Sequence, residues 1–146
     1  METTIQDFKL TTLVISSVFI ILFLVVSAVE SNSVVLNGYS TVLHCAVICI
    51  GIQWIAWIPA SIWKTERFYD LTGGLTYLVV VAFSLWSGSQ FEPPSLREII
   101  ISVLVIVWSL RLSSFLYFRI HRTGKDGRFD RLKTSPIRFL VPWTLQ

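Results

Sequence analysis

The stretch Leu10-Thr-Thr-Leu-Val-Ile-Ser-Ser-Val-Phe-Ile-Ile-Leu-Phe-Leu-Val-Val-Ser-Ala-Val29 carries no charge over its whole length and stops at Glu30. The hydrocarbon core of a bilayer is about 30 Å thick, and roughly 20 apolar residues in a helix cross it. This segment fits that requirement, and its apolar residues run all round a helix rather than along one stripe. A cleaved secretory signal is the competing reading. The flank Glu2, Asp7 and Lys9 lacks the basic character of such signals, and the apolar run exceeds their usual 7–15 residues. The segment therefore reads as a retained membrane helix.

The same test finds three more spans. The uncharged run after Glu30 opens with Ser31-Asn32-Ser33 and Asn37-Gly38, which read as a loop, and leaves a helix over 39–63. Pro59 lacks an N–H and is expected to kink its last turns. A third span covers 71–91, closed by the breaker Glu92-Pro93-Pro94-Ser95, and a fourth covers 99–118. Beyond it, residues 119–146 form a basic tail, whose apolar stretch Ile137–Trp143 is too short to cross. The expected fold is all-α: a single polytopic membrane domain of four helices with a basic C-terminal segment.

Composition agrees. The 146 residues are 53% hydrophobic and 14% charged, with a mean hydropathy of +0.68. Soluble domains carry about 25% charged residues, and a chain this small needs a large polar surface to stay in water. A soluble enzyme, a nucleic-acid-binding domain and a disordered tail are excluded. The net charge of +3 reports topology instead. With four spans, ten Lys and Arg fall on the side of the termini and the second loop. Arg97 alone faces the opposite side, and Arg111 lies in the membrane. Because positive residues stay on the cytoplasmic side, both termini are expected there, in a bacterial inner membrane or the endoplasmic reticulum.

Few residues offer chemistry. Arg111 lies within a span, where a charge costs about 2.5–3.5 kcal/mol on insertion scales. It either walls a pocket for phosphate or carboxylate, or snorkels to the headgroups. Residues 119–130 combine Arg119, Arg122, Lys125 and Arg128 with Gly124 and Gly127, which suits a phosphate-bearing ligand. Asp126 and Asp130 are placed to orient the arginines. A juxtamembrane basic stretch touching anionic lipid is the simpler alternative. Glu66 and Asp70 either belong to a solvated interhelical turn or pair with Lys64, Arg67 or the basic tail, and Gly73-Gly74 is expected to admit a neighbouring helix. Gln53, Trp57 and Ser61 recur every four residues and line either a cavity or a helix contact. His44, Cys45 and Cys49 offer too few ligands for a metal, and no metal is expected.

Two ordered stretches carry a family resemblance. Lys64-Thr-Glu-Arg-Phe-Tyr-Asp-Leu-Thr-Gly-Gly-Leu-Thr-Tyr77 and Trp108-Ser-Leu-Arg-Leu-Ser-Ser-Phe-Leu-Tyr-Phe-Arg-Ile-His-Arg-Thr-Gly-Lys-Asp-Gly-Arg-Phe-Asp130 resemble an uncharacterised membrane group of the steroid 5-alpha-reductase-like superfamily. Trp143-Thr-Leu-Gln146 is similar to the opening of a third element. The resemblance implies a multi-pass reductase using NADPH on a carbon–carbon double bond of a lipid-like substrate. It implies ligand-facing roles for Arg111, Arg119, Lys125, Asp126, Arg128 and Asp130, and contacts to substrate for Glu66, Tyr69 and Tyr77. Family members continue into an Arg-His-Pro-Asn-Tyr type motif that is not found here, so the chain is expected to be their N-terminal half, inactive and without tight NADPH binding until a complementary C-terminal segment completes it. A lipid-directed methyltransferase using S-adenosylmethionine, and a non-enzymatic four-helix subunit or small transporter, are the alternatives. None of the four spans as bounded here holds a carboxylate, which counts against a transporter.

Overall fold

A computed structural model describes residues 2–30, 33–124 and 126–146. Four long helices, α1 (Glu2–Glu30), α2 (Thr41–Trp63), α3 (Tyr69–Ser89) and α4 (Leu96–Thr123), are each apolar enough to cross a membrane. A short helix, α5 (Pro136–Leu145), follows. At 1.5 Å per residue α5 is about 15 Å long, half the depth of the hydrocarbon core. The chain is an all-helical, multi-pass membrane protein.

Helix ends explain where the boundaries differ from expectation. Ser95 and Glu98 form a capping box, which starts α4 three residues earlier than its apolar run suggests. Gly124, at φ +80°, ends it beyond the basic residues. Ser40 caps α2, its hydroxyl accepting from the Leu43 N–H at 3.2 Å. Pro59 sits inside α2 without ending it, and the helix runs on to Lys64 in the left-handed conformation. The third helix begins at Tyr69 and ends at Ser89, so Asp70 lies in its first turn rather than in a loop. Residues 31 and 32 of the expected first loop lie outside the described residues. Beyond them β1 (Val35–Leu36) and β2 (Tyr39–Ser40) pair through Asn37-Gly38. Both turn residues have positive φ, as a type I′ hairpin turn requires.

The burial pattern is that of a membrane protein. Leu13, Phe23, Leu104 and Phe115 point outward, while Thr11, Gln53, Thr76, Ser87, Ser109 and Ser113 are buried between helices. Helices in lipid gain little by hiding apolar groups from one another and associate through small and polar residues. Gly74 shows the consequence: a Cβ there would stand 2.5 Å from Ser113 Oγ, so only glycine lets α3 and α4 approach this closely.

Among the described residues, a compact apolar core lies at the basic end of the bundle. Ala60 of α2 meets Phe129, Phe139 and Trp143, with Phe68 and Tyr69 packed around them. Indole and phenol groups fasten α5 beneath it. Trp57 Nε1 donates to the Pro136 carbonyl at 3.2 Å, Trp54 Nε1 to Thr144 Oγ1 at 3.1 Å, and the Tyr69 hydroxyl to the Pro142 carbonyl at 2.8 Å. On α1, Thr11 donates to the Ile137 carbonyl and Asp7 pairs with Arg138. The apolar stretch at 137–143 is thus a docked half-length helix.

Candidate functional site

Glu66 anchors the charged side of the site. It lies in the short turn between α2 and α3 and is only 2% exposed. A buried carboxylate needs partners for both oxygens, and the basic tail supplies them. Oε1 accepts from the Asp126 N–H at 3.0 Å and Oε2 from Lys133 Nζ at 2.7 Å. Asp126 in turn takes Arg128 in a bidentate grip, with Nε at 3.0 and 2.9 Å from its two oxygens, and has Arg119 at 3.7 Å. Asp130 stands 3.4 Å from Lys133.

The electrostatics follow these contacts. The Arg128 hydrogen bonds hold the Asp126 carboxyl below its usual range against some burial, with the Arg119 charge adding to the effect. Burial alone would push Lys133 down, but its bonds and attraction to Glu66 and Asp130 outweigh that and hold its ammonium above the usual value. Arg128 also sits over the Phe129 ring, 5.6 Å from its centroid. The Phe129 ring lies tilted against that of Tyr69, with centroids 4.9 Å apart. The charged cluster and the aromatic core therefore clamp the same segment, one from each side.

Next to this clamp lie two intramembrane cavities. The larger, about 240 Å³, is walled by α3 and α4, including Asp70, Tyr77, Trp108, Leu112 and Leu116. The smaller, about 140 Å³, lies against α2 and includes Cys49, Gln53 and Thr76. Gly73, Tyr77 and Gln146 border both. Gln146 donates to the Tyr69 carbonyl at 3.0 Å and lies over Gly73, where any Cβ would collide with it. Among the described residues, Gln53 Oε1, Asp70 Oδ2 and Trp143 Nε1 are buried without a partner.

The residues singled out from sequence divide accordingly. Arg119, Asp126, Arg128 and Asp130 come together with Glu66, while Lys125 lies outside the described residues. Arg111 stands apart, two helical turns (about 12 Å) from Arg119, exposed beside Trp108, Leu112 and Phe115. Tyr69 has committed its hydroxyl proton to Pro142. Tyr77 borders both cavities with its ring edge-on to Trp108 at 5.2 Å. Lys133 was legible only as one cation of the basic tail, because its partner is 67 residues away. Thr76, Ser109 and Ser113 were legible only as small polar residues within otherwise apolar runs.

NADPH, implied by the resemblance, would bring several phosphate charges. The described groups at the clamp are Arg119, Arg128 and Lys133 against Glu66, Asp70, Asp126 and Asp130. Arg119, Arg128 and Lys133 are already paired to these carboxylates, so none of the three offers a dinucleotide's phosphates an uncommitted charge. No grouping of His, Cys, Asp and Glu suited to a metal occurs among the described residues.

The profile of a family described as protein of unknown function (DUF1295) matches residues 56–146. No curated protein and no solved structure matches the chain.

Proposed function

The chain belongs to the DUF1295 family, and on that premise we propose that it holds a lipid-like molecule within the membrane. In this reading it is the substrate-holding part of a reductase of the steroid 5-alpha-reductase-like type, acting on a carbon–carbon double bond. The paired cavity around Gly73 and Tyr77 carries the proposal. Small-molecule sites are concave, mostly apolar, and hold a few fixed polar groups in about 300–1,000 Å³. Each of the two cavities, about 240 and 140 Å³, is below that range alone, and only taken together, across the three walls they share, do they reach its lower end. Trp108, Leu112 and Leu116 supply apolar walls, and the Tyr77 phenol offers a hydrogen bond to a carbonyl conjugated with the double bond.

The charged clamp has a separate task in this reading. It fixes Tyr69, Phe129 and Trp143, and through them the position of Gln146 over Gly73. The hydride donor is not held by the clamp, whose charges are spent internally.

Equilibrium binding of a tritiated steroidal enone to the protein in nanodiscs tests the proposal. One saturable site is expected, with affinity at least tenfold weaker in Leu116→Trp, which fills the larger cavity. Non-saturable partitioning, equal in empty nanodiscs, would refute it.

A further inference from the structure

Gln53 is 4% exposed, in the middle of α2, and its amide is oriented by a chain of committed protons. The Thr76 hydroxyl donates its single proton to the Thr72 carbonyl at 2.8 Å. Only a lone pair is then left for Gln53, so the glutamine must present its NH₂, which donates to Thr76 Oγ1 at 3.1 Å. Flipping the amide would set two acceptors against each other. Oε1 is therefore left over, buried and without a partner, on a residue that walls the 140 Å³ cavity.

Buried acceptors without donors are rare and costly, and this one is an acceptor at membrane depth, where lipid tails offer no hydrogen bond. We infer that Gln53 Oε1 is the recognition point for a hydroxyl group on the lipid-like ligand. The inference rests on the cavity being a ligand site and adds what that ligand must carry. A molecule whose only polar group is a carbonyl brings a second acceptor and leaves Oε1 unpaired. A hydroxylated one donates to Oε1 and places its apolar body against Tyr77 and Val80. Sites built around a ligand hydroxyl discriminate strongly against analogues lacking it, because the site's own polar group is then stranded. The second orphaned acceptor, Asp70 Oδ2, belongs to a residue that lines the larger cavity. It is the natural control.

Two tritiated ring lipids of the same skeleton, one with a terminal hydroxyl and one without, are titrated against the protein in nanodiscs. The hydroxylated probe is expected to bind about tenfold tighter, equivalent to about 1.4 kcal/mol. In Gln53→Leu the advantage should fall below twofold while the deoxy probe keeps its affinity, which also reports an intact cavity. Asp70→Asn should retain the preference. Equal binding of both probes by the unmodified protein would overturn the inference, with Gln53 satisfied by water alone, and leave the cavity proposal standing. A preference that survives Gln53→Leu, or that vanishes only in Asp70→Asn, would overturn it too. Saturable binding of neither probe would remove both proposals. Should Gln53→Leu fail to fold, Gln53→Met, which keeps the side-chain length and removes the amide oxygen, takes its place with the same expected loss.

Discussion

Lys133 reaches back 67 residues to place its ammonium 2.7 Å from Glu66 Oε2, closing the basic tail against the turn between α2 and α3. Glu66 is nearly inaccessible, whereas the Lys133 side chain keeps 16% of its surface. Removing one partner of a buried pair leaves an uncompensated charge, at a cost of about 3–5 kcal/mol when burial is complete. Asp130 beside Lys133 and the partial exposure of the lysine reduce that figure. Glu66→Gln and Lys133→Met are each expected to cost roughly 1–3 kcal/mol, and the double variant less than their sum. A double-mutant cycle read by thermal denaturation in nanodiscs checks this, and strict additivity would contradict the pairing.

The same clamp sets a pH window for docking of the tail. Asp126 has its pKa lowered from 3.8, so its contribution is complete above that value and is lost as pH falls through the lower folded value. Lys133 has its pKa raised from 10.5, so its contribution is complete below that value and is lost as pH rises through the higher folded value. Protease cleavage within residues 126–135 should stay flat from about pH 5 to 9 and rise only as pH falls below 3.8 or climbs above 10.5. A transition near pH 6–7 would contradict the assignment.

Orientation is open to a direct check. From the ten-to-one distribution of Lys and Arg we propose that the Glu66 clamp and both termini face the cytoplasm. Single cysteines at Thr65 and Ser95, in a chain lacking Cys45 and Cys49, should react with impermeant maleimides from opposite sides, Ser95 from outside. Labelling of both from outside would contradict the four-span topology.

Nucleotide binding should be weak. Electrostatic attraction at an exposed surface is screened by salt, and the cationic groups described at the clamp are already paired. Isothermal titration with NADPH should give no submicromolar affinity, and any binding at low salt should disappear at about 0.5 M salt, where the Debye length falls below 8 Å. Tight, salt-resistant binding would show that the chain carries a dinucleotide site.

The four spans were legible because lipid contact selects long uncharged runs, and that signal is local. The Asn37-Gly38 turn was equally legible, although strands of two residues leave no pattern of their own. Docking of α5 was not, since a ten-residue apolar run looks the same whether it packs or drifts. Its fastening depends on Trp54, Trp57 and Tyr69, whose partners lie 73 to 90 residues away. Glu66 was read as one of several carboxylates able to meet the basic tail, and only the fold selects it over Asp70. Gln53 stood out by its spacing with Trp57 and Ser61, yet the three separate in use. Trp57 binds α5, Ser61 turns back to the Ile58 carbonyl, and Gln53 alone faces Thr76.

Photo-crosslinking with a diazirine analogue of a steroidal enone, followed by peptide mapping, tests the central claim that a lipid-like molecule enters the cavity between α3 and α4. The account predicts saturable labelling confined to residues 69–77 and 108–116, competed by the unlabelled enone and lost in Leu116→Trp. Labelling spread over outward-facing residues such as Leu13, Phe23 and Leu104, without competition, would mean that the probe meets this protein only as bulk lipid, and would contradict it.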